Sequence, residues 1–338
     1  YDSARASKEE MMFLVILGQM AVLFAMIAIG TFMGVKGWIN DEGEALLSRL
    51  VVNIFNPILI ASSVLMADSV SSESVIKTSI IVTVAFYVLA TLVGFLLRFV
   101  LKAKLQHRNL FLVMSMFGNI GFMGIPVVKS VFGPEGVIYV VFIMLGFNAL
   151  LYTIGIKICE WAGNDKLVAE GLLPDDASGV CDDNAVGSKG GALRRMLNPG
   201  VVACVIAMVI FIGGFSVPAP VESFCDYMGN ATIPLSMICI GVSLAKADIK
   251  TYFKDWRTYA FIAIRMLALP IAFLFALKGL GVESMMAGVF AIELGMPVGS
   301  IVGLIATEKG ADYPYVMKVT VITTLASIIT LPIIGVFI

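Results

Sequence analysis

The chain has 338 residues, of which 59% are hydrophobic and 14% charged, and its mean hydropathy is +0.97. A water-soluble domain of this length needs far more charge to cover its surface, so the composition excludes the soluble globular class. A net charge of −1 without a basic stripe speaks against a nucleic-acid partner. With His107 as the one histidine and no close pairing among the five cysteines, histidine-based metal centres, hydrolytic triads and a disulfide framework are also set aside.

In chain order, residues 1–11 read as a tail, processed or appended, because position 1 is Tyr and the stretch Tyr1–Glu10 is polar. Apolar stretches of about 20 residues follow to the end, each long enough to cross a hydrocarbon core of roughly 30 Å. Ten spans are expected, near 12–35, 45–67, 76–101, 109–131, 136–161, 197–216, 221–245, 257–280, 284–307 and 314–337. The polar, turn-rich stretch 163–195 is read as a linker between a first unit, 12–162, and a second, 196–338. Alternate connections receive Lys and Arg in a ratio of sixteen to five. The richer side is therefore assigned to the cytoplasm, which puts the linker inside and both termini outside.

Two motifs recur. Asn53-Ile54-Phe55-Asn56-Pro57 in the second span matches Asn230-Ala231-Thr232-Ile233-Pro234 in the seventh, and Gly124-Ile125-Pro126 in the fourth matches Gly295-Met296-Pro297 in the ninth. The matched prolines are 177 and 171 residues apart. Halves with five spans each insert in opposite orientations. The expected fold class is thus an all-α polytopic membrane protein built from two inverted five-helix repeats.

The fourth span contains Gly118-Asn119-Ile120-Gly121-Phe122-Met123-Gly124-Ile125-Pro126 and the ninth contains Glu293-Leu294-Gly295-Met296-Pro297. So much Gly and Pro at membrane depth predicts broken helices, tolerated where they line a cavity or are buried in protein. Pro126 and Pro297 suit the first turn of each second half-helix. Their N-termini then converge near the midplane and offer N–H groups to an anion, while the preceding carbonyls suit a cation. Gly121, Gly124 and Gly295 belong to that crossing.

Asn119 is a candidate both for capping a broken end and for contacting substrate. A carboxylate at span centre costs at least about 2.5 kcal/mol on insertion, so Glu293 is a candidate cation ligand, proton carrier or partner of Arg265. Arg265 itself either snorkels to the interface or recognises an anionic substrate. Asn53, Asn56 and Asn230, beside their prolines, either line the pocket or only satisfy freed carbonyls. The hydroxyls Thr320, Thr323, Thr324, Ser327 and Thr330, with Asn148, read as interhelical glue.

Asn56-Pro57, the stretch Gly118 to Pro126, Asn198-Pro199, Ile233-Pro234-Leu235, Ile240 to Ala245 and Gly295-Met296-Pro297 together resemble the auxin efflux carrier family, in its bacterial form with a short central linker. The resemblance covers residues 12–338. It implies a ten-helix fold related to the bile acid:sodium symporters, with spans four and nine crossing at the substrate site. It also implies a small carboxylate such as malate, malonate or an auxin-like acid as substrate, and a place for Glu293 beside Na+. Spans one, two, six and seven would form a scaffold and the remainder a moving domain.

The expected function is a secondary transporter in the cell membrane, with Na+ or H+ as coupling ion and no other cofactor. A homodimer is a candidate assembly. The alternatives are a non-transporting ligand sensor on the same fold and an anion channel. No nucleophile–base pair points to an enzyme.

Overall fold

The computed structural model describes residues 2–65, 73–174, 217–245 and 254–338, with isolated helical positions between 202 and 213. The expected sixth span at 197–216, with Asn198-Pro199 and most of the linker, falls outside the described residues. The elements are α1 (Asp2–Val35), α2 (Asp41–Leu50), α3 (Asn56–Leu65), α4 (Glu73–Val100), α5 (Leu105–Met116), α6 (Ile125–Leu150) and α7 (Ile156–Ala169). After the linker come α8 (Ala219–Ala245), α9 (Trp256–Phe261), α10 (Leu269–Gly279), α11 (Ser284–Leu294), α12 (Ser300–Glu308) and α13 (Tyr313–Val336). Thus α1 reaches back to Asp2 and α7 runs on past residue 162.

Among the described residues four π-helical turns lie between consecutive helices: Val51–Phe55, Ile120–Gly124, Leu151–Gly155 and Ile262–Ala268. Three of them end two residues before a proline, namely Pro57, Pro126 and Pro270. A proline ring clashes with the carbonyl four residues back and gives it no N–H. One wider turn just upstream relieves both problems while the helix continues. Pro126 accordingly stands in the first turn of α6, where its sequence context put it, while the π-turn carries the helical path back to Ile120.

Six stretches of the described chain are long and apolar enough to cross a membrane: Glu10–Val35, Ser74–Val100, Ile120–Ala169, Ala219–Ala245, Trp256–Gly279 and Tyr313–Val336. The third holds 50 residues, which at 1.5 Å per residue is about 75 Å and too long for one crossing. Gly133, with φ 74° and ψ −172°, breaks it immediately before Pro134. That left-handed backbone suits glycine.

Small residues decide which helices meet. Gly30 lies against the Ile238 backbone, Gly34 against Val242 and Ala245, and Gly241 against Ile27, Gly30 and Thr31, so α1 and α8 touch backbone to backbone. Close approach of this kind substitutes for a hydrophobic driving force that lipid cannot supply. Gly229 does the same for α8 on Leu59 and Ser62 of α3. Gly94 of α4 fits over Leu112 and Ser115 of α5, and Gly163 of α7 fits under the Lys309 carbonyl after α12.

Polar ties at the helix ends join the two halves of the sequence. Lys309 Nζ is 2.8 Å from Glu160, and His107 Nε2 is 2.9 Å from Asp312, whose carboxylate also accepts from the Tyr315 N–H at the start of α13. The hydrogen bond from His107 holds the Asp312 carboxyl below its ordinary range.

Candidate functional site

The two glycine- and proline-rich stretches meet. Helix α5 stops at Met116, the chain resumes as the turn at Ile120, and α11 stops at Leu294 before α12 starts at Ser300. Across this gap Gly118 and Val298 form an antiparallel bridge: the Asn119 N–H donates to the Pro297 carbonyl at 2.7 Å and the Gly299 N–H to the Phe117 carbonyl at 3.0 Å. The Val298 N–H donates to Thr323 Oγ1 at 3.2 Å, and that hydroxyl donates to the Thr320 carbonyl. Each break therefore satisfies the other's orphaned backbone groups, as burial away from water demands. Pro297 lies within the break, three residues before α12, and acts through its carbonyl.

Arg265 closes the arrangement from the side. It is 1% exposed on the turn between α9 and α10. Its Nε donates to the Ser115 carbonyl at 3.1 Å, while Nη1 donates to the carbonyls of Leu294 and, at 3.0 Å, Met296. One guanidinium thus serves the carbonyl ends of both α5 and α11, where helix dipoles favour a cation. A Cβ on Gly118 would stand 3.2 Å from Nη2, so the glycine gives the guanidinium its room. Arg265 neither runs to an interface nor lines a cavity described below.

Glu293 sits on α11 just before the break, with zero exposure, and both carboxylate oxygens lack a hydrogen-bond partner among the described residues. Its carboxylate rests where a Cβ of Gly124 would stand. Gly124→Ala should therefore displace the carboxylate or the turn, with a destabilisation of about 1–3 kcal/mol typical of overpacking. Thermal unfolding checks this, and an unperturbed variant would show that the contact is slack.

A cavity of about 120 Å³ opens beside the crossing. Its wall includes Asn119, Gly121 and Phe122 from the first break, Gly299 and Ser300 from the second, Asn53 from the turn before α3 and Asn56 at the start of α3. Met144, Phe147, Asn148, Leu151 and Tyr152 close it. Asn56 Oδ1 has no partner among the described residues and lies 3.3 Å from where a Cβ of Gly121 would be. The Asn119 side chain does not cap the turn after it; its backbone carbonyl does, accepting from Met123 and Gly124 at 3.2 Å. The N–H groups of Ile120, Gly121 and Phe122 come before the first intrahelical donors, as do those of Ser300 and Ile301. A smaller cavity of about 80 Å³ adjoins through Ser48, Phe122 and Ser300, and contains Glu44, which accepts from Ser243, and the buried Thr320 and Thr324.

The structure brings together Asn56, Asn119, Gly121, Gly124, Gly295, Pro297, Arg265 and Glu293 around the crossing, with Pro126 one turn further on. Asn230 stands apart: it is exposed and donates to Asp226, four residues earlier on α8, at 2.8 Å. Glu293 and Arg265 form no ion pair, and Glu293 lines neither cavity. Thr323 and the cavity-closing Phe147 and Tyr152 were not singled out by sequence as site residues. The hydroxyl series of α13 carried the only signal for Thr323.

A family model described as "Membrane transport protein" matches residues 15–335. A transporter of Methanocaldococcus jannaschii named as uncharacterized is 23% identical over 325 residues, covering 93% of this chain and 96% of its own. One of Methanothermobacter thermautotrophicus, also named as uncharacterized, is 22% identical, covering 92% and 94%. A Rhizobium meliloti protein named "Putative malonate transporter" is 23% identical over 300 residues, 86% of this chain and 87% of its own. With the family match running almost end to end over a chain of apolar helices, the protein belongs to the membrane transport protein family, that of the auxin efflux carriers.

Proposed function

We propose that the protein is a secondary transporter that moves a small organic anion by alternating access at the crossing of its fourth and ninth spans. The single observation that carries this reading is that the two breaks pair with each other on the wall of one cavity. Two helix starts there present unfilled N–H groups, and two asparagines add carboxamides. A carboxylate fits such donors. The cavity wall includes Ser48 of α2, near the end that the charge asymmetry assigns to the cytoplasm, which supports a state open to the inside.

On this reading the chain has ten spans in two inverted repeats. The sixth supplements the scaffold of α1, α3 and α8 that glycine contacts hold together. The crossing then moves against that scaffold as a unit, because its hydrogen bonds and Arg265 tie both breaks to one body. A cation or proton at Glu293 couples the movement to an ion gradient. The malonate in one relative's name makes short dicarboxylates the first compounds to try.

The test is uptake of labelled malonate and malate into proteoliposomes, with counterflow, under a Na+ gradient or a pH gradient. Saturable, counterflow-competent uptake supports a carrier; linear flux supports a channel, and ligand binding without flux a sensor. Asn119→Ala and Asn56→Ala should each weaken the carboxylate's effect on thermal stability by roughly tenfold in concentration, the worth of about 1.5 kcal/mol for a hydrogen bond to a charged group. The unliganded melting temperature should change little. An unchanged ligand response would remove the asparagines from the binding site.

A further inference from the structure

The corner where α4 turns into α5 carries a basic cluster that the transport site does not use. Arg98 lies in the last turn of α4 and Arg108 in the first turns of α5, with Lys102 and Lys104 exposed between them. Arg257 reaches in from α9, donating from Nε to the Leu101 carbonyl at 3.0 Å and from Nη2 to the Lys102 carbonyl at 3.3 Å. Two carboxylates stand close. Asp165 has zero exposure and accepts from Asn109 at 2.7 Å, with Arg108 at 4.0 Å. Asp255 is shared among Arg257, Lys318 and Tyr315. Six basic groups, Lys318 included, against two such carboxylates leave a local surplus of positive charge.

Arg98 is the member whose chemistry points outward. Among the described residues no carboxylate lies within ion-pair distance of it and its buried Nε has no hydrogen-bond partner. Its guanidinium sits over the rings of Phe95 and Phe99, at 5.2 and 5.8 Å. Those rings, with Leu92, Leu96 and Val100, form an exposed apolar face on a helix that is apolar enough to span the membrane. The guanidinium is therefore held at the boundary between an acyl-chain surface and a basic turn, on the side that the charge asymmetry assigns to the cytoplasm.

We propose that this corner binds the headgroup phosphate of an anionic phospholipid, with its acyl chains along Phe95, Leu96 and Phe99. Arg98 and Arg108 supply the forked donors that suit a phosphate, and Lys102 and Lys104 supply point charge. A free phosphate gains nothing from the apolar face, which is why a lipid is the occupant.

The test uses the purified full chain in a neutral detergent. Phosphatidylglycerol, phosphatidylcholine with the same acyl chains, or inorganic phosphate is added in equal amount, and the melting temperature is read. Phosphatidylglycerol should raise it about 3 °C or more above phosphatidylcholine, while inorganic phosphate has no effect. Arg98→Gln should remove that difference; Arg49→Gln, an exposed charge elsewhere on the same side, should keep it. Native mass spectrometry of the wild type should show phosphatidylglycerol retained in preference to phosphatidylcholine, a readout that stands even where Arg98→Gln does not fold. Equal responses to the two lipids, an undiminished difference in Arg98→Gln, loss of the difference in Arg49→Gln, or a match by inorganic phosphate would each overturn the assignment.

Discussion

Glu293→Gln is expected to abolish ion-stimulated uptake and to leave the fold intact. A carboxylate with zero exposure and, among the described residues, no partner on either oxygen is among the costliest groups a protein can hold in its charged form. Arg265 forms no ion pair with it; its Nε and Nη1 donate to three carbonyls instead. On the proposed reading a proton or a bound cation neutralises the site, and glutamine is a neutral group of nearly the same shape. The variant should melt no lower than the wild type, and should lose any difference in melting between sodium and potassium buffers. Uptake driven by an ion gradient should fall at least about a hundredfold, some 2.7 kcal/mol on the rate scale. Proteoliposomes under imposed Na+ and pH gradients measure it, and a variant that keeps wild-type ion stimulation would end the role of Glu293 in coupling.

Arg265→Lys should be nearly as damaging, by a different route. The guanidinium reaches Ser115 on one side and Leu294 and Met296 on the other, which a single ammonium group cannot do at once. Each hydrogen bond to a charged group is worth about 1.5–3 kcal/mol, and a carbonyl left unpaired at this depth pays its full desolvation cost. We expect a loss of about 2–4 kcal/mol in stability, seen as a lower melting temperature, and transport reduced more than tenfold in the fraction that remains folded. Were lysine to preserve both, the clamp would be incidental to the crossing.

Several of these features were legible in the sequence. Glycine and proline in an apolar run announce a break regardless of tertiary context, so both interruptions and the division at Gly133-Pro134 could be read directly. Glu293 could be singled out because an intramembrane carboxylate has few bland explanations. What could not be read was which group satisfies which. Arg265 is 150 positions from Ser115, and its turn toward carbonyls rather than lipid or ligand depends on helix packing. Asn230 shared the spacing of its counterpart Asn53, but spacing does not choose a helix face, and Asp226 one turn back offered a local partner. The π-turn before Pro126 could not be read either: the proline stands in the first turn of α6, but the helical path begins upstream at Ile120.

The bridge between Gly118 and Val298 joins positions 180 residues apart. During synthesis the first break enters the membrane long before its mate exists, with the Asn119 N–H and the Phe117 carbonyl lacking the partners that the finished chain supplies. A break so placed cannot be completed locally. Most of the loop-closure entropy is spent before the contact forms, which makes the crossing a late event in assembly. Until then water or neighbouring helices must serve those groups. The centre of the molecule is thus the last part to be built.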